Sequence, residues 1–324
     1  MTATAARREA PPRRVALRKA WLPSRLAPYA FVAPALVCLV TFSVVSIFVA
    51  AVVSLTNLDI SGLADFSQVR FIGLGNYQAL FGDPAFWEAL GNTAFFVILG
   101  VPILVIGSLS IAIGLNYSRS WVFRALRTFY FVPAITAIVA ISLIWGNLYN
   151  SQFGLLNWLL SLAGLGPVPW LTDPTIAKFS VALVAIWRGS GLDTIIFLAA
   201  LQAIPPEYYE AAAIDGAREW RQIFSITLPL MTPVILYDII IGLSFGLQVF
   251  TSAFILTGGG TRGAAGPDNS LLTYVYFIYQ QAFVFGQMGY AAALSVVLFV
   301  VSLLLAGAVF RWARGWVFYG AEEA

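Results

Sequence analysis

Histidine is absent from these 324 residues, cysteine occurs once, at Cys38, and lysine only at Lys19 and Lys178. Without histidine there is no Ser-His or Cys-His nucleophile pair and no imidazole metal site, which leaves carboxylates and lysine as the only ordinary catalytic groups. One cysteine, set in an apolar run, excludes a disulfide framework or a cysteine metal cluster within the chain. Neither lysine follows a GxxxxG pattern, so the chain has no phosphate loop and any ATP must be hydrolysed by another subunit. Charge is scarce too. Charged residues make up 10% of the chain and hydrophobic ones 60%, where a soluble domain carries about a quarter charged. Such a composition belongs in a bilayer.

What is there, in order, begins with a basic arm over residues 1–27: Arg7, Arg8, Arg13, Arg14, Arg18, Lys19 and Arg25 stand among prolines with no apolar period. It is expected to be disordered beside anionic lipid rather than bound to nucleic acid, since a membrane span follows directly. Residues 30–55 are almost uninterruptedly apolar, longer than a signal-peptide core and long enough to cross hydrocarbon, so they read as a first span and not a cleaved signal. Further spans are expected over about 93–115, 129–148, 177–203, 231–256 and 288–310. The expected fold is all-α and polytopic with six transmembrane helices: arm 1–27, membrane domain 28–310, tail 311–324. In the first long loop Phe71, Tyr77, Phe81, Phe86 and Trp87 suit headgroup depth.

Loop cations set the orientation. With the amino terminus inside, fourteen Lys and Arg lie on the inner side against three, Arg70, Lys178 and Arg262, on the outer, with Arg188 inside span four. The positive-inside rule then places both termini and the loop after span four in the cytoplasm.

That loop, residues 204–230, is the most informative stretch. Pro206 suits a first helical turn, Glu207 and Glu210 put negative charge near the positive helix end, and Glu210 to Ala213 forms helix readily. Gly216 ends this helix. A second amphipathic run follows from Arg218 to Ile226, with Trp220, Ile223 and Phe224 on its apolar side, and Pro229 is expected to stop it.

Glu210-Ala211-Ala212, Gly216 and, after nine residues, Ile226-Thr227-Leu228-Pro229 together resemble the EAA loop of the permease subunits of binding-protein-dependent ABC importers. The similarity extends from the first span to the last. FIGLGNYQALFGDPAFWEALGNT also resembles the region after span one in sugar-type members, as in maltose, trehalose or glycerol-3-phosphate systems. The resemblance implies an importer-permease fold in a bacterial or archaeal cytoplasmic membrane, with the loop as the coupling helix that docks in an ATPase groove. Glu210 would meet a cation there, Ala211, Ala212 and Ala213 would allow close approach, Asp215 completes the segment, and Gly216 would permit the bend. It further implies a second, different permease chain, two ATPase subunits holding ATP and magnesium, and an extracytoplasmic solute-binding protein. No cofactor is expected in this chain, and no enzymatic activity.

Three ionisable groups lie inside spans: Arg188, Asp193 and Asp238. Each is costly there unless paired or facing water, so each is a functional candidate, as an interhelical pair, an inner gate or a substrate contact. Arg188 and Asp193 are five apart, about 140° around a helix, so each needs a partner on another helix. Ser244, Gln248 and Thr251 repeat at helical spacing in span five with Phe250 and Phe254 nearby. They suit a sugar path, because sugars take neutral hydrogen-bonding groups and aromatic faces, and equally suit bonds between neighbouring helices. Gly258 to Gly263, GGGTRG, lacks GK[ST] and reads as a flexible turn. The solute stays open between a sugar and another small polar solute such as a glycerol phosphate ester. An ion-coupled secondary transporter using the intramembrane carboxylates is the rival.

Overall fold

The computed structural model describes residues 27–117, 120–259 and 264–318. The basic arm up to residue 26, Arg119, most of the GGGTRG turn and the last six residues of the tail lie outside the described residues.

The chain divides into two units, residues 1–49 and 50–324. The first holds most of helix α1 (Pro28–Val53). Its side chains are exposed all round from Pro28 to Val49, including Phe31 and Phe42. A helix apolar on every face and exposed over its length suits lipid or a partner helix, not water.

The second unit is built on α2 (Gly75–Gly82), α3 (Pro84–Asn116), α4 (Trp121–Ile135), α5 (Ile138–Leu148), α6 (Pro174–Ala203), α7 (Pro206–Ile214), α8 (Glu219–Leu247), α9 (Thr251–Leu256), α10 (Tyr274–Tyr279) and α11 (Met288–Ala313). Two of the long helices start the same way. Asp83 caps α3 through Ala85 N–H and Asp173 caps α6 through Thr175 and Ile176 N–H, all at 2.9 Å, each with proline next, where the missing N–H costs nothing.

Among the described residues five helices are long and apolar enough to cross a membrane, and α4 with α5, bent 99° between them, adds a sixth if the two are taken together as one span. The expected straight third span, 129–148, is therefore corrected. Pro133 lies inside α4, and Thr136 and Ala137 turn to extended backbone, so the ladder cannot continue. Span two begins at Pro84, well before residue 93. Pro229 does not stop the run from Arg218. Helix α8 continues through a π turn, Ile223–Thr227, within its length, and the wide turn relieves the ladder just where proline supplies no N–H. A second π turn, Phe96–Gly100, precedes Pro102 in the same way. Span five, expected to run to residue 256, breaks after Leu247: Gln248 and Phe250 leave helical geometry, and the Thr273 hydroxyl donates to the freed Val249 carbonyl.

Helix α6 packs against α3, α4 and α8. Close approach sets these contacts. A Cβ on Gly191 would stand 2.6 Å from the Tyr130 carbonyl of α4, and one on Gly242 or Gly246 would press on Val101 or Val97 of α3 at 3.0 and 3.1 Å. Gly242 and Gly246, four apart, are a small-xxx-small face that lets two membrane helices touch by backbone.

At the end opposite residues 204–230 the structure is sewn by side-chain to backbone bonds. The Asn92 amide donates to the Asn269 and Leu272 carbonyls at 3.0 Å, Thr93 accepts from Tyr274 N–H at 2.8 Å, and the Tyr274 hydroxyl donates to the Leu294 carbonyl at 3.0 Å. Of the five aromatics expected at headgroup depth there, Phe71, Phe81 and Trp87 are exposed and Tyr77 is half-buried, but Phe86 is buried against Tyr274. Its ring belongs to the core.

Candidate functional site

The loop between α6 and α8 has the helix, glycine bend, helix form. Helix α7 starts with Pro206 in its first turn and ends in a tight reversal: Gly216 N–H donates to the Ala213 carbonyl and Ala217 N–H to that of Ala212, at 3.0 and 2.9 Å. Gly216 takes φ +75°, a left-handed conformation that side chains disfavour, and so supplies the C-terminal stop. Glu210, Ala211, Ala213, Asp215 and Gly216 are exposed and Ala212 half-buried. Beside them stands apolar surface without cover among the described residues: Ile214 is 87% exposed, Trp220 73%, and Phe224 stacks on Trp220 with centroids 6.5 Å apart. The Tyr209 hydroxyl lies 3.0 Å from Thr227 Oγ1 and ties α7 to the π turn within α8. Sequence reasoning passed over Tyr209, because no linear spacing announces that contact.

Between α3, α4, α6, α8 and the start of α9 is a cavity of about 360 Å³. Arg188, Asp193, Asp238, Gln248 and Thr251 all line it, with Phe96, Phe245 and Phe250 among the apolar walls. The three intramembrane ionisable residues, placed on two helices by sequence, therefore meet in one space. Asp193 and Asp238 are buried, 9% and 3% exposed, and their carboxyl groups approach each other across α6 and α8 at one end of the cavity. Arg188 Nε is buried without a partner among the described residues.

The stripe of Ser244, Gln248, Thr251 and Phe254 does not hold as one helical face, because α8 ends at Leu247. Ser244 is exposed away from the cavity and donates to the Ile240 carbonyl at 3.0 Å. Gln248 and Thr251 reach the cavity from the break itself. Phe254 joins an aromatic cluster with Phe250, Tyr276 and Tyr279, at centroid distances of 5.2, 5.5 and 5.2 Å. Ser252, which also lines the cavity, was missed from sequence; only the position of the break brings it there.

Residues 71–316 match the family described as binding-protein-dependent transport system inner membrane component. The lactose transport system permease protein LacF of Rhizobium radiobacter is 35% identical over 286 residues, covering 88% of this chain and 93% of that one. The trehalose/maltose transport system permease protein MalF of Thermococcus litoralis is 36% identical over 233 residues, 72% of this chain and 76% of that one. A crystal structure of a bacterial alginate ABC transporter, in complex with an alginate pentasaccharide-bound periplasmic protein, superposes with a TM-score of 0.75 at 24% identity, over 91% of this chain and 96% of that one. This chain belongs to the binding-protein-dependent transport system inner membrane components, the membrane-spanning permease subunits of ABC importers.

Proposed function

We propose that this permease carries a saccharide, that it forms one half of a two-permease pore with a second, different permease chain, and that an ATPase subunit grips residues 206–216. The observation that carries this reading is one of linkage. The exposed segment around Glu210 and Gly216 joins α6 to α8, and those two helices wall the cavity, so a force on the loop is delivered to the solute space by two rigid rods. Two ATPase subunits would hold the ATP and magnesium, and an extracytoplasmic binding protein would deliver solute to a pore that alternates between outward and inward access. The cation balance of the loops supports placing both termini and the coupling segment in the cytoplasm.

The saccharide reading draws on relatives named for lactose, arabinooligosaccharides and trehalose/maltose. It also draws on the cavity lining, where neutral Gln248, Thr251 and Ser252 stand among aromatic rings, the combination that binds hydroxyls and sugar faces. Arg188, on the same wall, keeps a glycerol phosphate ester as the second reading.

The experiment is gentle isolation of the tagged chain, identification of its companions, and uptake of a panel of labelled sugars and glycerol phosphate into vesicles holding the complex. An ATPase and a second permease should co-isolate, and a neutral saccharide should be taken up only with ATP and binding protein. A chain that isolates alone and transports on an ion gradient would overturn the reading.

A further inference from the structure

The acidic pair marks a boundary. Along α6 the cavity wall runs from Ala182 to Asp193, and along α8 it starts at Asp238. On both helices the carboxyl residue is thus the lining position nearest the coupling loop. Beyond it, toward the loop, the same helices pack Phe197, Leu201 and Met231 with Val105 and Ala112 of α3 into an apolar layer, with Phe197 and Ala112 fully buried. The space above is open to a solute, and the layer below is closed.

The chemistry of the contact is restrictive. An ionised carboxylate only accepts hydrogen bonds, so a bond between the two groups requires one proton shared by the pair. Asp238 Oδ2 is buried with no donor among the described residues. A buried acceptor left unsatisfied costs free energy that water would return if the helices parted. The contact is therefore one that water can replace when the helices part, as a reversible closure needs. Arg188 is the other charged side chain of the cavity wall; five residues from Asp193, it sits on a different side of α6.

We propose that Asp193 and Asp238, sharing one proton, form a latch across the α6–α8 hairpin that closes the coupling-loop end of the solute cavity and parts when the loop is displaced. This rests on the coupling reading above. The latch explains why two acids face each other where either one alone would be costly, and why they stand on the two helices that the coupling segment joins.

The test uses the assembled importer in inverted vesicles, with Cys38→Ser removing the one thiol of this chain and Ala185→Cys, a small cavity-wall residue of α6, as a reporter inside the cavity. A membrane-impermeant maleimide is applied from the coupling-loop side. The parent should label slowly without ATP and faster during turnover. Asp193→Ala or Asp238→Ala should label several-fold faster without ATP, whereas Asp238→Asn, whose amide donates permanently to Asp193, should stay slow. Alanine variants in an intact complex that label no faster than the parent would overturn the latch while leaving the coupling reading standing. A parent indifferent to ATP would overturn the coupling reading and the release step with it. Should the alanine variants not assemble, Asp193→Cys with Asp238→Cys, joined by a short bis-thiosulfonate linker, tests the same contact. Transport lost on linking and regained on reduction supports the latch; transport unaffected by linking overturns it.

Discussion

The Tyr209 hydroxyl lies 3.0 Å from Thr227 Oγ1 and joins helix α7 to the π turn, Ile223–Thr227, within the first turns of α8. A helix of nine residues is too short to be stable alone in water. It is held by its two ends, the α6 end through Ile204 and Pro205 and the α8 end through this contact, so the bond is a candidate transmission point between the loop and the cavity.

Tyr209→Phe removes one hydrogen bond of about 1 kcal/mol and leaves the ring in place. The expected outcome is a complex that assembles and hydrolyses ATP but transports fewer solute molecules per ATP. Measuring both rates on one vesicle preparation checks this, and an unchanged ratio would remove Tyr209 from the coupling path.

Gly216 occupies φ +75°. Alanine there should cost about 1 kcal/mol, since an L side chain tolerates this region poorly. Proline, fixed near φ −65°, cannot adopt it and should unwind the end of α7. Stimulation of ATP hydrolysis by loaded binding protein should fall modestly in Gly216→Ala and vanish in Gly216→Pro, while insertion into the membrane stays normal. Equal stimulation in all three proteins would show that the bend is not used.

Gly242 and Gly246 set how near α8 comes to α3, with added Cβ atoms at 3.0 and 3.1 Å from valine methyls. Methyl groups can give by a few tenths of an ångström, so Gly242→Ala should be tolerated. Gly242→Leu should force the helices apart, with an overpacking cost of about 1–3 kcal/mol and a distorted cavity. Thermal denaturation of the detergent-solubilised complex should order the three proteins as wild type, alanine, leucine.

Gly289 is stricter. Its N–H donates to the Leu58 carbonyl at 2.7 Å, and an added Cβ would lie 2.3 Å from the Thr56 carbonyl oxygen, a backbone atom that cannot rotate away. The same loop is held by the Asn76 amide, which donates to the Ser54 and Thr56 carbonyls at 2.8 Å. Gly289→Ala should therefore lower the yield and melting temperature of the complex more than Gly242→Ala does. A variant as stable as wild type would mean that this loop shifts freely.

Much of this molecule can be read from its residues. The long apolar runs require membrane helices, because backbone polar groups in hydrocarbon must be satisfied within the segment. Proline at 206, glutamates behind it and glycine at 216 require a short helix and a stop, since propensity, helix-end charge and left-handed backbone act within a few residues. Those signals are local, and α7 has the predicted ends.

Where helices break was less legible. Pro133 stands just before the bend into α5, but proline is tolerated inside α8 at Pro233, so the residue type does not decide. The break at Gln248 depends on Thr273, some twenty-five residues later, satisfying a carbonyl. No period in the sequence carries that information, and the expected stripe failed for this reason.

Sequence by itself determined that the chain is an α-helical membrane protein with no histidine to build a nucleophile pair or metal site, and that one loop carries the EAA spacing. Its determinants are composition and spacing, which act locally or through the solvent that each segment must face. Only tertiary structure decided that Asp193 and Asp238 meet, that Arg188 lines the same cavity, and that Gln248 faces it while Ser244 does not. Those facts depend on how α6 and α8 rotate against each other, and that rotation is set by glycine contacts and a helix break whose partners lie far away in the chain.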